Sequence, residues 1–337
     1  MKIGLVLPQS HRWCNGEALL AIAKIADTRG FHSIWAGDHV VAPVGPPEKT
    51  AVVRSQYQWM LAPGRPPPGP HTSTAQDFYG KENWFLEVYT TISFLAGATR
   101  HVKIGASLVV VPYRNPVVQA RMVATLDQLS GGRVMLGLGA GHVESEARAL
   151  QSPWAARGKV TEEYIAVMKG MWANDRMSFH GEHYDLDEVL TLGRPLQQPY
   201  PPLFYGGMAK PAIARAVRHC DGWLPTGTWL SPEEIGQGVA FARAEAARIG
   251  RTKPVLFAMC YETRLETGHP EPDPSLFGES YEPPKTRTGD EVVASLRAYG
   301  EVGFEYAFLM IDSVTLDDYL RQIEAVADQV LPAFAGT

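Results

Sequence analysis

The chain has 337 residues, 45% of them hydrophobic and 20% charged, which supplies a large core and excludes compositional disorder. A net charge of −5 with no basic run leaves no electrostatic footprint for nucleic acid, and no apolar run reaches the roughly 18 residues that span a bilayer. Three scattered cysteines, Cys14, Cys220 and Cys260, suit a reducing compartment better than a disulfide framework, and the opening MKIGLVLPQS reads as a strand rather than a secretion signal, so a cytoplasmic location is expected.

Strand-like runs alternate with amphipathic helical patterns from end to end. Residues 2–8 open as a strand, and a helix over 16–29 places Leu19, Ile22, Ala23 and Ala26 on one face. A second strand over 33–36 runs into Gly37, Asp38 and His39. A helix over 85–98, a β-branched strand over 103–111 and a helix over 115–130 follow, the last stopped by Gly131 and Gly132. The fourth strand is 134–138.

Residues 160–174 read as a helix and 177–186 as a small hairpin turning near Gly181. A fifth strand (203–205), a helix (211–219) and a sixth strand (222–224) come next. Ser231, Pro232 and Glu234 start a helix with a capping box; Thr288 and Glu291 start another after a seventh strand (254–264). The eighth strand is 306–311, and Tyr319, Ile323, Val326 and Val330 line the last helix.

Eight strands separated by helices predict a single (β/α)8 barrel, a TIM barrel, over residues 1–337, in preference to a doubly wound open sheet, which normally uses fewer strands. Two proline-rich insertions, about 42–84 and 265–287, follow strands and so belong at the C-terminal face, where such barrels build their sites. Aromatic residues of the first (Tyr57, Trp59, Phe78, Tyr79 and Trp84) are candidates for a pocket wall against substrate, as is Trp13, beside His11 after the first strand. A lid or a dimer contact is the plainer reading of the same insertion.

Several residues offer chemistry. Asp38 and His39 end a strand, where an acid beside an imidazole can orient it for proton exchange near neutral pH. His142 follows the fourth strand and is a second candidate for the proton. Gly137-Leu-Gly-Ala-Gly141 has misplaced glycines for a dinucleotide fingerprint, but it permits close approach of a flat ligand to the backbone. His180 and His183 sit in a hairpin without a convincing third ligand, so no metal site is expected.

Four segments in order resemble the luciferase-like family, especially its branch of deazaflavin (coenzyme F420)-dependent oxidoreductases. They are residues 30–41 (GFHSIWAGDHVV), 103–116 (KIGASLVVVPYRNP), 124–141 (ATLDQLSGGRVMLGLGAG) and 202–208 (PLFYGGM) with 221–224 (DGWL). The resemblance implies catalytic roles for Asp38 and His39, beside the reactive part of the cofactor ring, while His142 stays a candidate for the proton from its place after the fourth strand. It implies a non-proline cis peptide at Ser107–Leu108 under that ring, cofactor-tail contacts at Ala140 and Gly141, and a phosphate-binding turn at Gly206, Gly207 and Met208. His142 departs from the branch that oxidises sugar phosphates, which carries a glutamate acid there. The expected function is hydride transfer between the deazaflavin C5 and an organic substrate. The alternative is an FMN-dependent monooxygenase fed by a separate reductase; a non-catalytic flavin-binding barrel is the third reading. A homodimer is also implied.

Overall fold

In the computed structural model the described residues are 1–42, 58–62, 84–225, 230–270, 285–311 and 313–336. β1 (Lys2–Val6) pairs in parallel with β2 (Ser33–Ala36), followed in the sheet by β3 (Lys103–Val110) and β4 (Val134–Gly139). An antiparallel hairpin, β5 (Arg176–His180) and β6 (Asp185–Leu190), stands outside the sheet. β7 (Leu203–Gly206), β8 (Gly222–Leu224), β9 (Leu256–Leu265) and β11 (Tyr306–Ile311) complete the ring, because β8 pairs with β9 and β11 returns to β1. β10 (Thr286–Arg287) adds two residues to the end of β9. The eight ring strands form a closed parallel TIM barrel.

Helices α1 (Gly16–Thr28), α2 (Val88–Ala98), α3 (Pro116–Ser130), α4 (Glu144–Ala149), α5 (Arg157–Ala173), α6 (Lys210–His219), α7 (Pro232–Arg248), α8 (Gly289–Val302) and α9 (Leu316–Gln329) surround the ring. Their starts follow from local chemistry. The Asn15 and Asn115 side chains accept the first backbone N–H groups of α1 and α3, and both predicted capping boxes form, Ser231 with Glu234 and Thr288 with Glu291. Gly131, at φ +70°, ends α3 in the left-handed conformation that glycine adopts without a steric penalty.

Two apolar layers result. Outward-facing strand residues and inner helix faces make the larger one, including Leu5, Ile34, Ile104, Leu136, Ile213 and Leu309. The barrel interior is filled by Trp35, Met135, Phe204, Leu224, Ala258, Cys260, Tyr306 and Phe308. Trp35 stacks on Phe308 with centroids 4.0 Å apart, and Gly105 makes room: a Cβ there would lie 2.4 Å from the Trp35 ring. Large rings on some strands against glycine on their neighbours let a ring of eight strands fill its own centre.

Three details differ from the sequence reading. Helix α4 was not predicted, because its polar run Glu144-Ser-Glu-Ala-Arg-Ala149 lacks an apolar stripe. The hairpin's second strand continues to Leu190, and its turn is fixed by Glu163, which accepts the N–H groups of Glu182, His183 and Tyr184. β10 is too short to show any period.

Candidate active site at the C-terminal face

The loop after β2 is held from two sides. Gln9, just past β1 and 2% exposed, accepts the N–H of Gly37 and donates to the carbonyl of Leu86 at 2.7 Å. The next residue, Asp38, turns its carboxylate inward, where Arg114 grips both oxygens at 2.7 and 2.8 Å and the Val110 N–H donates at 2.9 Å. Burial raises the Asp38 pKa against the pull of Arg114 and Val110. Arg114 also donates to Glu87 at 2.9 Å; burial works against its charge, but Asp38 and Glu87 outweigh it and raise its pKa. A bidentate guanidinium–carboxylate pair fixes geometry as well as charge. Asp38 thus ties the end of β2 to the end of β3.

His39 is presented by that anchored loop. Its Nδ1 lies 3.0 Å from a carboxylate oxygen of Glu146 on α4. The other Glu146 oxygen accepts the Val40 N–H at 2.7 Å, and the Tyr113 hydroxyl donates to the carboxylate at 3.2 Å. Glu146 is 1% exposed. Burial alone would raise its pKa, but the His39 hydrogen bond and charge and the Val40 and Val41 N–H groups outweigh it, and the net shift is downward. The ring of His142 meets His39 edge-on, centroids 5.8 Å apart, and Phe85 meets it at 5.4 Å. Burial first, then the His39 charge, lowers the His142 pKa to about 4, Glu146 opposing. His142 is therefore neutral at pH 7.

The Ser107–Leu108 peptide is cis, as the resemblance implied, and the β3–β4 register slips between Ala106 and Val109. The bulge lays Leu108 across three glycines: a Cβ on Gly206, Gly137 or Gly139 would come within 2.3, 2.8 or 3.1 Å of its methyl groups. That is the packing reason for the glycine-rich end of β4. Ser107 lies 3.4 Å from the Cys260 sulfur, inside the barrel. Ala140 and Gly141 leave β4 half-buried, Gly141 at φ +83° against Val110 and Tyr113.

Across the mouth, Gly207, at φ +101°, follows the last residue of β7. Trp223 donates its indole N–H to the Gly207 carbonyl at 2.8 Å, and Trp59 donates to the Met208 carbonyl at 3.1 Å. The N-cap of α6, Ala209, offers no capping side chain, and Lys210 begins the helix. A helix start without a side-chain acceptor suits an anion.

Of the three tryptophans assigned to substrate, Trp59 buttresses this turn, with Lys210 Nζ 4.9 Å from its ring centroid. Trp13 packs between His11 and Tyr319, its buried Nε1 without a protein acceptor. Trp84 is exposed in the irregular segment that precedes α2. Tyr57, Phe78 and Tyr79 lie outside the described residues. Inward-facing Val6 and Leu108 are only half-buried, and Met310 is 40% exposed in a strand whose other residues are all buried. The packed interior therefore ends in an apolar shelf that fits a flat aromatic ring. Among the described residues no three His, Cys, Asp or Glu side chains converge as a metal cage; His180 pairs with Asp185 at the hairpin instead.

Sequence reasoning gave no role to Glu146, Arg114, Tyr113 or Gln9. Arg114 and Tyr113 stand inside the quoted Pro-Tyr-Arg-Asn-Pro run, where a signal existed. Glu146 sits in a polar stretch indistinguishable from a solvated helix face.

Comparison with known proteins agrees with the fold and places the chain. Residues 72–264, more than half of it, match the luciferase-like monooxygenase family. An FMNH2-dependent dimethylsulfone monooxygenase of Pseudomonas putida is 35% identical over 175 residues, 51% of this chain and 47% of that one, so the chain spans about half of that relative's length. A monooxygenase, RslO1, of Streptomyces bottropensis superposes with a TM-score of 0.74 at 18% identity, covering 99% of this chain and 100% of that one. An F420-dependent secondary alcohol dehydrogenase does so with a TM-score of 0.72, also at 18%, covering 98% of both chains. The chain belongs to the luciferase-like monooxygenase family.

Proposed function

We propose that this luciferase-like oxidoreductase is a monooxygenase that takes reduced FMN from solution and oxidises an apolar organic substrate at the C-terminal mouth of the barrel. The observation that carries the choice of cofactor is the 35% identity to an FMNH2-dependent monooxygenase, since the solved neighbours at 18% speak for the fold alone. When bound, reduced FMN supplies two electrons to dioxygen, one oxygen atom going to substrate and the other leaving as water.

The chain's own residues fit that role. The Leu108 bulge and Val6 would lie against the ring, and the turn at Gly206, Gly207 and Met208 with the start of α6 would take the phosphate. Met310 offers an apolar wall to substrate, and the buried, fully engaged Asp38 carries no proton to it. In this reading His39 exchanges protons with the reacting atoms, supported by its place after a strand end at the mouth and by the Glu146 carboxylate 3.0 Å from its Nδ1.

A second reading, hydride transfer to or from F420, is favoured by the Gly-Asp-His-Val-Val run at 37–41 and Pro-Tyr-Arg-Asn-Pro at 112–116. Anaerobic equilibrium titration with FMN, reduced FMN and F420, followed by oxygen uptake, decides between them. Binding of reduced FMN at micromolar concentration with oxygen consumed is the expected result. F420 binding with no FMN binding overturns the proposal in favour of the second reading, and binding of neither ring overturns both. A separate reductase supplying FMNH2 and assembly as a homodimer accompany the proposal; co-purified reductase activity and light scattering test them.

A further inference from the structure

We propose that Glu146 is a positioning residue for the proton carrier: it holds the His39 ring by Nδ1 and thereby assigns the exchangeable lone pair to Nε2. The inference rests on the reading of His39 as the proton-exchanging group. It is carried by geometry the sequence did not show. One carboxylate, 1% exposed, gathers donors from the ends of two strands: His39, Val40 and Val41 after β2, and Tyr113 after β3. Its own helix follows β4, so three strand ends meet on it. Burying a carboxylate is costly unless donors surround it, and here they do.

An ionised carboxylate can only accept, so Nδ1 must carry the hydrogen facing it at 3.0 Å. A neutral imidazole protonated at Nδ1 keeps its lone pair at Nε2, the position from which a proton is taken up or returned. Among the described residues, the neighbouring side chains differ in kind from Glu146. His142 from the end of β4 is neutral and meets the ring edge-on, Phe85 is apolar, and Asp38, next in the chain, acts at a distance because Arg114 holds both its oxygens. Tyr113 donates to the same Glu146 carboxylate.

The plainer role, a carboxylate that merely caps the 39–41 loop, predicts different behaviour in Glu146→Gln. There the amide oxygen can keep Val40 and Val41 while the amide NH2 faces His39 and donates to Nδ1, forcing the hydrogen to Nε2. Nitrogen-15 NMR of histidine-labelled protein without cofactor, with His39 assigned by its loss in His39→Gln, reads the tautomer. The expected wild-type tautomer is Nδ1–H, set by the Glu146 carboxylate 3.0 Å away. Glu146→Gln should invert it to Nε2–H. Tyr113→Phe should leave it unchanged. An Nε2–H tautomer in the wild type, or an unchanged tautomer in folded Glu146→Gln, overturns the inference. If Glu146→Gln does not fold, the wild-type tautomer still decides. Because no cofactor is present, failure here is distinct from failure of the FMN titration.

Discussion

Arg114 decides more than its position in a loop suggests. It bonds both oxygens of Asp38 and one of Glu87, and its guanidinium carbon lies 5.4 Å from the Tyr89 ring centroid. Removing one partner of such a buried pair strands the other charge, so Arg114→Ala should cost about 3–5 kcal/mol in denaturant unfolding. A loss under about 1 kcal/mol would mean that water replaces the guanidinium freely. Protonation gives a second test at this scale. His32 and His142 both have pKa values lowered to about 4, His32 by burial and then by Lys2 and Lys103. Between about pH 6.5 and 4 the unfolded chain therefore binds protons that the folded protein refuses, and stability falls as pH drops. His142→Gln should flatten that slope in thermal melts taken across the interval; an unchanged slope would show that His142 protonates alike in both states. Asp38 and His39 were legible as a pair at a strand end. Their division of labour was not, since which of two adjacent side chains turns inward depends on partners 76 and 107 positions away.

At the scale of elements, the interior is built by pairing rings with glycines on neighbouring strands. Gly105 in β3 faces Trp35 in β2, where a Cβ would sit 2.4 Å from the indole. Gly105→Ala should cost about 1–3 kcal/mol as overpacking, and the cost should largely vanish in a Trp35→Leu background. Equal losses in both backgrounds would point to the backbone instead. The turn after β7 makes the matching prediction for ligand binding. Gly207 sits at φ +101°, and a Cβ would come 2.9 Å from Ala212 at the start of α6. Gly207→Ala should lower the melting temperature through that strain and, under the proposed function, weaken FMN binding at least tenfold in the protein that remains folded; unaltered affinity would remove this turn from the proposed cofactor site. Most elements were readable because their signals are local: caps, apolar stripes, β-branched runs and terminal glycines. Helix α4 has no apolar stripe for a window of sequence to show, and two partners of its buried Glu146, His39 and Val40, lie 107 and 106 positions away.

For the whole molecule, the alternation of eight strands with helices argued for a barrel without family knowledge, and the pairing of β8 with β9 and of β11 with β1 closes it. Closure brings Gln9, Asp38, Leu108, Glu146, Gly207 and Met310 to one face from six different strand ends, although they span about 300 positions of the chain. No helix among the described residues is long and apolar enough to cross a membrane. What the sequence determined alone is what short-range physics governs: where helices start and stop, which residues face a core, and the alternation of eight strands with helices that favours a closed parallel barrel over an open sheet. The tertiary structure alone decided that Asp38 is a buried strut, that His39 leans on Glu146, and that Leu108 fills the space left by three glycines. Each of these depends on groups far apart in the chain, and their hydrogen bonds and contacts come into being only when the ring of strands has closed.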